Sequence, residues 1–398
     1  MDLSLLLTIL LSALKVITLY FAGVFLLYGW RKPAAISRAE ARTRFAVVIA
    51  ARNEETVIPR LVESLRRQNY PRELFDIYAV PNNCRDNTAG AAFQAGAEVL
   101  LCTGTVKNKG DALRQAFAQL RAEQYDAYVV FDADNVADPE FLARMNDAFC
   151  AGARVAKGRQ LAGNPGDSWV AGCYDVYFRA FDRFFNRPRA CGGLSAKLVG
   201  TGFALRREVL EEVLGGWNTE TLAEDAEAAA QCALAGERVF WVPQAVTWDE
   251  EPLTLRNSLR QRRRWCSGIL SVSRRMLPRF FRGEGSALRL DMSLFLLTPY
   301  AQGAGALLGL GLGAWKLLTG GVQAWAFMLG GGALAYGVMA ALAFVLSAQR
   351  GKKRWQAALS FPLFMATWAP LQILALFHRT RVWKEIPHAG LARPADLA

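Results

Sequence analysis

Histidine is almost missing from this chain. Its 398 residues include only two, His378 and His388, both near the C-terminus. A Ser-His-Asp triad or a His-ligated metal is therefore excluded upstream of them. Cysteine offers no alternative. The seven thiols, at 84, 102, 150, 173, 191, 232 and 266, form no CxxC pair and are odd in number. Small core residues of a reducing compartment are expected, not bridges or zinc ligands. A GxxxxGK[ST] phosphate loop is missing as well. "GLGLGA" (309–314) loosely resembles a glycine-rich loop, but it sits within a long apolar run, where close helix packing in a membrane explains it better.

Charge is scarce too, at 21% against 53% hydrophobic residues. The scarcity is local. Residues 3–30 carry one charge, Lys15, whereas 31–290 have an ordinary soluble composition. The charge-free runs 292–315, 317–349 and 355–378 each exceed the roughly 20 residues that cross a bilayer as helix. One span before the soluble part and about three after it are expected. The first segment has no basic n-region and no small-residue cleavage site, so it reads as a span and not a secretory signal. "RKPAAISRAEARTR" follows it with five basic residues and one acid. Positive residues stay inside, which places the N-terminus outside and the soluble domain under the plasma membrane, in the cytoplasm. "AQRGKKRW" (348–355) should also lie inside. The last apolar segment is then either a full crossing, leaving the basic tail "HRTRVWKEIPH" outside, or re-entrant. The net charge of +12 gathers beside apolar segments, where it serves topology and anionic lipid; nucleic acid is not an expected partner.

Between the spans, strand and helix alternate. "RFAVVIAA" is a β-branched run of the kind buried in a parallel sheet. "RNEETVIPRLVESLRRQ" follows, with Val57, Leu61 and Leu65 at helical spacing, then "FDIYAVPNN" and "RDNTAGAAFQAG". "AEVLLCT", "KGDALRQAFAQLRAE" and "YDAYVVFDAD" repeat the pattern. Such alternation implies a sheet covered on both faces, with ligands beyond the carboxyl ends of its strands. Polar residues stand there each time: Arg52 and Asn53, Asn82 and Asn83, Asp132 and Asp134.

Strand alternation would point Asp132 and Asp134 to one face, where two carboxylates suit a hard divalent cation and substrate phosphates. A solvated turn is the plainer alternative. Glu224 and Asp225 open an alanine-rich helix, a place where the helix dipole favours acids without any function. Further on, Arg256, Arg260, Arg263 and Arg264 alternate with Leu253, Leu255, Leu259 and Trp265, as in an amphipathic helix on the cytoplasmic membrane face. The expected division is a transmembrane helix at 3–30, a soluble domain at 31–250, interfacial helices at 251–290, about three spans at 291–378, and a tail at 379–398.

Taken together these stretches resemble the membrane-integrated inverting glycosyltransferases of family 2, which include the synthases of cellulose, hyaluronan and poly-N-acetylglucosamine. Those proteins carry an early acidic loop, a Lys-Gly before a helix, a DxD, an ED pair and a QxxRW. Here "NNCRDNTA", "KNKGDAL", "FDADN", "LAEDAE" and "QRRRW" follow in that order. The resemblance implies an α/β domain of GT-A (Rossmann-like) type, a nucleotide diphosphate sugar donor, usually of uridine, and Mg²⁺ or Mn²⁺. It implies that Ala51, Arg52 and Glu54 line the nucleotide pocket, with Asp86 and Lys109 nearby. Asp132 and Asp134 would meet the diphosphate and its metal ion, and Gln261 and Arg264 would approach the same diphosphate. Asp225 would be the general base, and Glu224 would give metal-shell or acceptor-side support. Trp265 would form a platform for the acceptor sugar, and "GTGFALRR" (200–207), with Gly200, Thr201 and Gly202, would run beside it. "WKEIPH" (383–388) resembles a tail element of related synthases. One departure stands out: Asn82 and Asn87 occupy positions where relatives usually have aspartate, which leaves the donor base less determined.

The chemistry so implied needs a stabilised leaving diphosphate, a base for the acceptor hydroxyl and an acceptor held in line. Arg264 would serve the diphosphate. Arg260, Arg262 and Arg263 are expected to face headgroups or the outer side of the helix. A processive synthase extending a β-linked polysaccharide is the leading expectation. A transferase adding one sugar to a membrane lipid is the alternative, and an inert scaffold that kept the fold is a third reading that the intact acidic motifs oppose.

Overall fold

The computed structural model of the chain describes residues 3–282, 284–319 and 321–378. His388 and "WKEIPH" lie outside the described residues. Helix α1 (Leu3–Tyr28) comes first. A sheet domain follows, opening on β1 (Phe45–Ala51), whose apolar run is buried along its whole length. Helix α2 (Ile58–Arg66), β2 (Phe75–Pro81), α3 (Thr88–Ala95) and β3 (Glu98–Val99) continue the alternation. Gly96 ends α3 with φ +101°, a conformation that suits glycine at a helix C-terminus. Next come α4 (Lys109–Leu120), capped by Asn108, then β4 (Ala127–Asp132), β5 (Asn135–Ala137) and α5 (Phe141–Cys150). The rest of the domain is β6 (Val155–Ala162), α6 (Trp169–Phe181), α7 (Arg187–Cys191), β7 (Phe203–Arg206), α8 (Glu224–Leu234) and β8 (Val239–Asp249).

The eight strands form one sheet in the order β3-β2-β1-β4-β7-β6-β8-β5. The first four are parallel, as the alternation predicts. Strand β7 runs antiparallel between β4 and β6, and β5 antiparallel to β8. No sequence signal marked that reversal, yet it matters: it brings the residues before β7 beside the end of β4. Alternate residues of β1 serve two cores. Ala46 and Val48 join Leu113, Tyr128 and Trp217 on one face, while Val47 and Ile49 join Leu61, Phe131 and Phe141 on the other.

The first of these cores does not stop at the domain. It runs on into Val272, Met276 and Phe280 of α9 (Leu255–Phe280) and Met292 and Leu296 of α10 (Ala287–Thr319). The expected interfacial stretch is thus one long helix and the start of the next. Helices α11 (Gly321–Leu346), α12 (Gly351–Ala366) and α13 (Trp368–Phe377) follow. By length and composition, three segments among the described residues are candidate membrane spans: 287–319, 321–346 and 351–377. The last is broken at Thr367, with α12 packed on α6 and α11, and α13 on α9 and α10. Close packing at "GLGLGA" is not observed. A Cβ on Gly309 or Gly311 would meet nothing within 4 Å, and one on Gly313 would meet only Met328 at 3.4 Å.

A buried ion pair ties α1 to the rest. Arg189 of α7 donates to Asp291 of α10 at 2.8 Å, and Tyr20 of α1 donates to the same oxygen at 2.8 Å. The Arg189 guanidinium lies 3.6 Å from the Phe185 ring centroid and 5.0 Å from that of Phe21. Removing one partner of such a pair strands the other charge. Asp291→Ala is expected to cost roughly 3–5 kcal/mol of stability, read as a lowered melting temperature in detergent. Arg189→Met with Asp291→Leu should cost less than Asp291→Ala alone.

Candidate active site

The ends of β1, β2, β4 and β8 open into one cavity of about 240 Å³, closed on its far side by α9. Ala51, Arg52 and Glu54 enter from β1, Lys109 from the start of α4, and Asp132 and Asp134 from the end of β4. Gly200 and Thr201 arrive because β7 runs backwards. The first turn of α8 adds Glu224 and Asp225, and α9 adds Gln261, Arg264 and Trp265. Strand β4 ends at Asp132, so alternation does not carry Asp134 to the cavity; the turn between β4 and β5 does.

Two expected residues stand elsewhere. Asp86 does not line the cavity. Its carboxylate accepts from the Glu55 amide at 3.1 Å and from Thr88, binding the β2–α3 loop to the β1–α2 loop. Gly202 lies in the sheet behind the cleft with φ +59°; its amide donates to the Val130 carbonyl at 2.8 Å, and a Cβ would come within 2.9 Å of Thr247. Both shape the site without facing it.

Lys109 is the centre of the arrangement. Its ammonium lies 2.6 Å from Asp132 Oδ1, 3.2 Å from Glu224 Oε1 and 2.5 Å from the Gly200 carbonyl. Burial works to lower its pKa, but Asp132 and Glu224 outweigh that and raise it. Glu224 is pushed up to about 7, first by burial, with Lys109 opposing and Asp225 and Asp132 adding. Asp225 is held differently. Its Oδ2 accepts from the Gly200 amide at 2.6 Å and its Oδ1 from Ala226 at 2.7 Å. Gly200 therefore links the two acidic sets through its own backbone. A Cβ there would come within 3.1 Å of Asp132 Oδ2.

The sequence reading missed a third acidic set. Asp249, Glu250 and Glu251 line the cavity together with Gln160. Asp249 lies well above the usual carboxylate range, through burial first and then Asp134 and Asp132, with Lys157 opposing. Burial draws Lys157 down to about 8 against Asp249 and Asp182. Gln160 donates to Asp249 Oδ2, while Oδ1 is buried without a hydrogen-bond partner among the described residues. The signal was available: "TWDEEP" ends a β-branched strand in polar residues, as the recognised cleft segments do.

The donor set for a cation is oxygen only, which fits a hard divalent ion. Among the described residues no group of three or more His, Cys, Asp or Glu side chains is disposed to hold a metal alone. An ion here would complete its shell with phosphate oxygens, as Mg²⁺ commonly does. Asp132 Oδ1 meets Lys109, and Asp134 Oδ1 accepts from the Asn135 side chain at 3.3 Å.

On the α9 side, Arg256, Arg260 and Arg263 are exposed, as the amphipathic reading expects. Arg262 is not: it is fully buried, because a 26-residue helix packed on several neighbours has more than one covered face. Arg264 lines the cavity and has no ion pair among the described residues. Gln261 accepts a hydrogen bond from Tyr174 at 2.9 Å. Trp265 meets Tyr174 edge-on at 6.2 Å and stacks on Trp368 at 6.4 Å.

Comparison with known proteins agrees with this architecture. The profile of a family described as glycosyltransferase like family 2 matches residues 42–268. The chain is similar to the probable glycosyltransferase YdaM of Bacillus subtilis, with 29% identity over 269 residues, 65% of this chain and 62% of that protein. It is also similar to beta-monoglucosyldiacylglycerol synthase of Synechocystis sp., with 27% identity over 283 residues, 68% of this chain and 57% of that protein. The chain thus spans about three fifths of the length of these curated relatives. Among solved structures, the mannosyltransferase PcManGT of Pyrobaculum calidifontis, in complex with GDP-mannose and Mn²⁺, superposes with a TM-score of 0.65. That pair is 20% identical, over 92% of this chain and 99% of the other, and shares its GT-A fold. With a match that begins just before β1 and ends on the helix that closes the cleft, the chain belongs to glycosyltransferase family 2.

Proposed function

We propose that this protein is an inverting glycosyltransferase anchored in the plasma membrane, with its sheet domain in the cytoplasm and α1 as its first span. It moves a hexosyl group from a nucleotide diphosphate sugar, of the UDP-glucose or UDP-N-acetylglucosamine type, to an acceptor presented at Trp265. One observation carries the reading: acids from three directions and the cations Lys109 and Arg264 share a single cavity that ends on the indole of an amphipathic helix. Ala51, Arg52, Glu54 and Asn82 suit the nucleoside end, and Arg264 and Gln261 the diphosphate. A divalent ion, held by Asp134 with help from Asp132, would offset the charge that develops on the departing diphosphate.

Asp225 is the base. Glu224 is buried against Lys109, whereas Asp225 faces the cavity in an orientation fixed by two backbone amides. It takes the proton of the acceptor hydroxyl as that oxygen bonds to the anomeric carbon. The bond from that carbon to the diphosphate oxygen breaks on the opposite side, and the diphosphate leaves with the electron pair. Configuration therefore inverts. Trp265 offers the flat apolar surface on which a sugar or glycerol-like headgroup is steadied, since positioning alone can lower such barriers by several kcal/mol.

The acceptor that best suits the surroundings is a membrane lipid receiving one sugar. The wall beside Trp265 is built from Tyr174, Tyr177, Phe364 and Trp368. Helices α10 and α11 carry few polar side chains and expose Leu310, Leu318, Phe327 and Leu334. A hydroxylated polymer crossing among them would meet little to hydrogen-bond. The processive reading keeps the support of "QRRRW" and of the apolar helices that directly follow the cleft.

Three outcomes test the proposal. Asp225→Asn should lower kcat by roughly 10²- to 10⁴-fold while calorimetry finds nucleotide binding almost unchanged; equal loss of both would remove Asp225 as the base. Chelation with EDTA should abolish nucleotide release, and Mg²⁺ or Mn²⁺ should restore it. Membranes given labelled nucleotide sugar should yield label that extracts with lipid. A ladder of high-mass glycan would instead establish the processive synthase.

A further inference from the structure

Arg262 is buried at 0% exposure, and among the described residues its contacts are all with neutral groups. Its Nε donates to Ser258 Oγ at 3.1 Å and its Nη1 to the Phe364 carbonyl at 3.1 Å. The guanidinium lies 4.0 Å from the Phe364 ring centroid and 5.3 Å from that of Trp368. A buried guanidinium without a carboxylate is a costly arrangement. Ring faces and a carbonyl at a helix C-terminus supply the negative potential that makes it tolerable. Phe364 stands in the last turn of α12 and Trp368 opens α13, so the guanidinium fills the break between them. Thr367 Oγ1 donates to the same carbonyl at 2.6 Å.

The surface around that break is shared with the cleft. Tyr174 of α6 bonds Ser258 at 3.0 Å and Gln261 at 2.9 Å. Trp368 is stacked between Trp265, at 6.4 Å, and Tyr177, at 5.8 Å. Gln261 and Trp265 line the cavity, while Arg262 and Trp368 stand behind them.

We propose that Arg262 is a positioning residue for the acceptor: seated in the α12–α13 break, it locks the last apolar segment onto α9 and so holds Trp265 at the cleft. The proposal rests on the reading of Trp265 as the acceptor platform. It follows that the acceptor half of the site is incomplete without residues 351–377, whereas the donor half, built mainly on β1, β4 and α8 with Gln261 and Arg264 only at its diphosphate end, depends on them less. Lysine would keep the charge at position 262 but supply neither the fork nor the flat face.

The test uses the full chain in proteoliposomes, with membrane lipid extract diluted into ether-linked phosphatidylcholine to set the acceptor fraction. Nucleotide release is followed for Arg262→Gln, Arg262→Lys and Trp368→Leu, with Trp265→Ala as the reference. Arg262→Gln and Trp368→Leu should each raise the acceptor KM about tenfold or more while the donor KM moves less than about twofold. Arg262→Lys should fall between wild type and Arg262→Gln. The double variant Arg262→Gln/Trp368→Leu should lose less than the product of the single losses, because both act through one contact. A lowered melting temperature with an unchanged acceptor KM in the surviving enzyme would overturn the proposal, as would donor and acceptor KM rising together. If Trp265→Ala leaves the acceptor KM unchanged, the platform reading itself fails and the proposal with it. If Trp265→Ala raises it and the Arg262 variants do not, only the coupling fails.

Discussion

The cleft depends on one ammonium group shared three ways. Asp132, Asp134, Glu224, Asp225, Asp249, Glu250 and Glu251 all line a single small cavity. Like charges about 4 Å apart repel by about 4 kcal/mol at an effective dielectric near 20. Lys109 relieves this between β4 and α8 by contacting Asp132, Glu224 and the Gly200 carbonyl together. Lys157 is buried on the opposite side and acts on Asp249. Asp134 and Asp225 lie outside the contacts of Lys109. Those are the two acids proposed above to meet a metal ion and to accept a proton.

The sheet topology makes this crowding possible. Four parallel strands alone would set Asp132 beside the ends of β1 and β2, far from any second acidic set. Inserting β7 in reverse lets the Val199–Thr201 turn begin where β4 ends. Gly200 then accepts from Lys109 and donates to Asp225, and no side chain could occupy its place without pressing on Asp132. The core beneath α8 continues into α9 and α10 without a polar boundary. The helices that carry Trp265 are thus as much a part of the domain as its own strands.

Much of this was legible in the sequence, for identifiable reasons. Strand alternation located the parallel half of the sheet, and polar residues at strand ends located Arg52, Asn82, Asp132 and Asp134 of the cleft; Lys109, Asp225, Gln261, Arg264 and Trp265 came with the family resemblance. Antiparallel β7 was hidden because "FALR" is too short to carry a directional signal. Asp249 to Glu251 obey the same strand-end rule as Asp132, but they follow a longer strand that the alternation analysis did not extend to. Arg262 was misread for a different reason. Helical periodicity assigns a face to each residue, but it does not reveal that a second apolar segment, a hundred residues later, covers the face opposite the solvent. Only the packing of α12 and α13 on α6 and α9 does so.

Asn82 shows how a departure from a family pattern can be resolved by geometry. Its side-chain amide donates to the Ala51 carbonyl at 2.9 Å, within the same strand-end turn where the Asn82 backbone amide donates to that oxygen at 2.9 Å. With one N–H on the Ala51 carbonyl and the Val80 carbonyl 3.5 Å from the same nitrogen, the group it can still offer the cavity is the carbonyl oxygen Oδ1, an acceptor. An aspartate there would also accept. What changes toward the cavity is charge, not hydrogen-bond sense: the end proposed for the nucleoside has one negative group fewer in a cavity already crowded with them. A base with an imide N–H would still find its acceptor, and the electrostatic cost of bringing a diphosphate into an acidic cleft would fall.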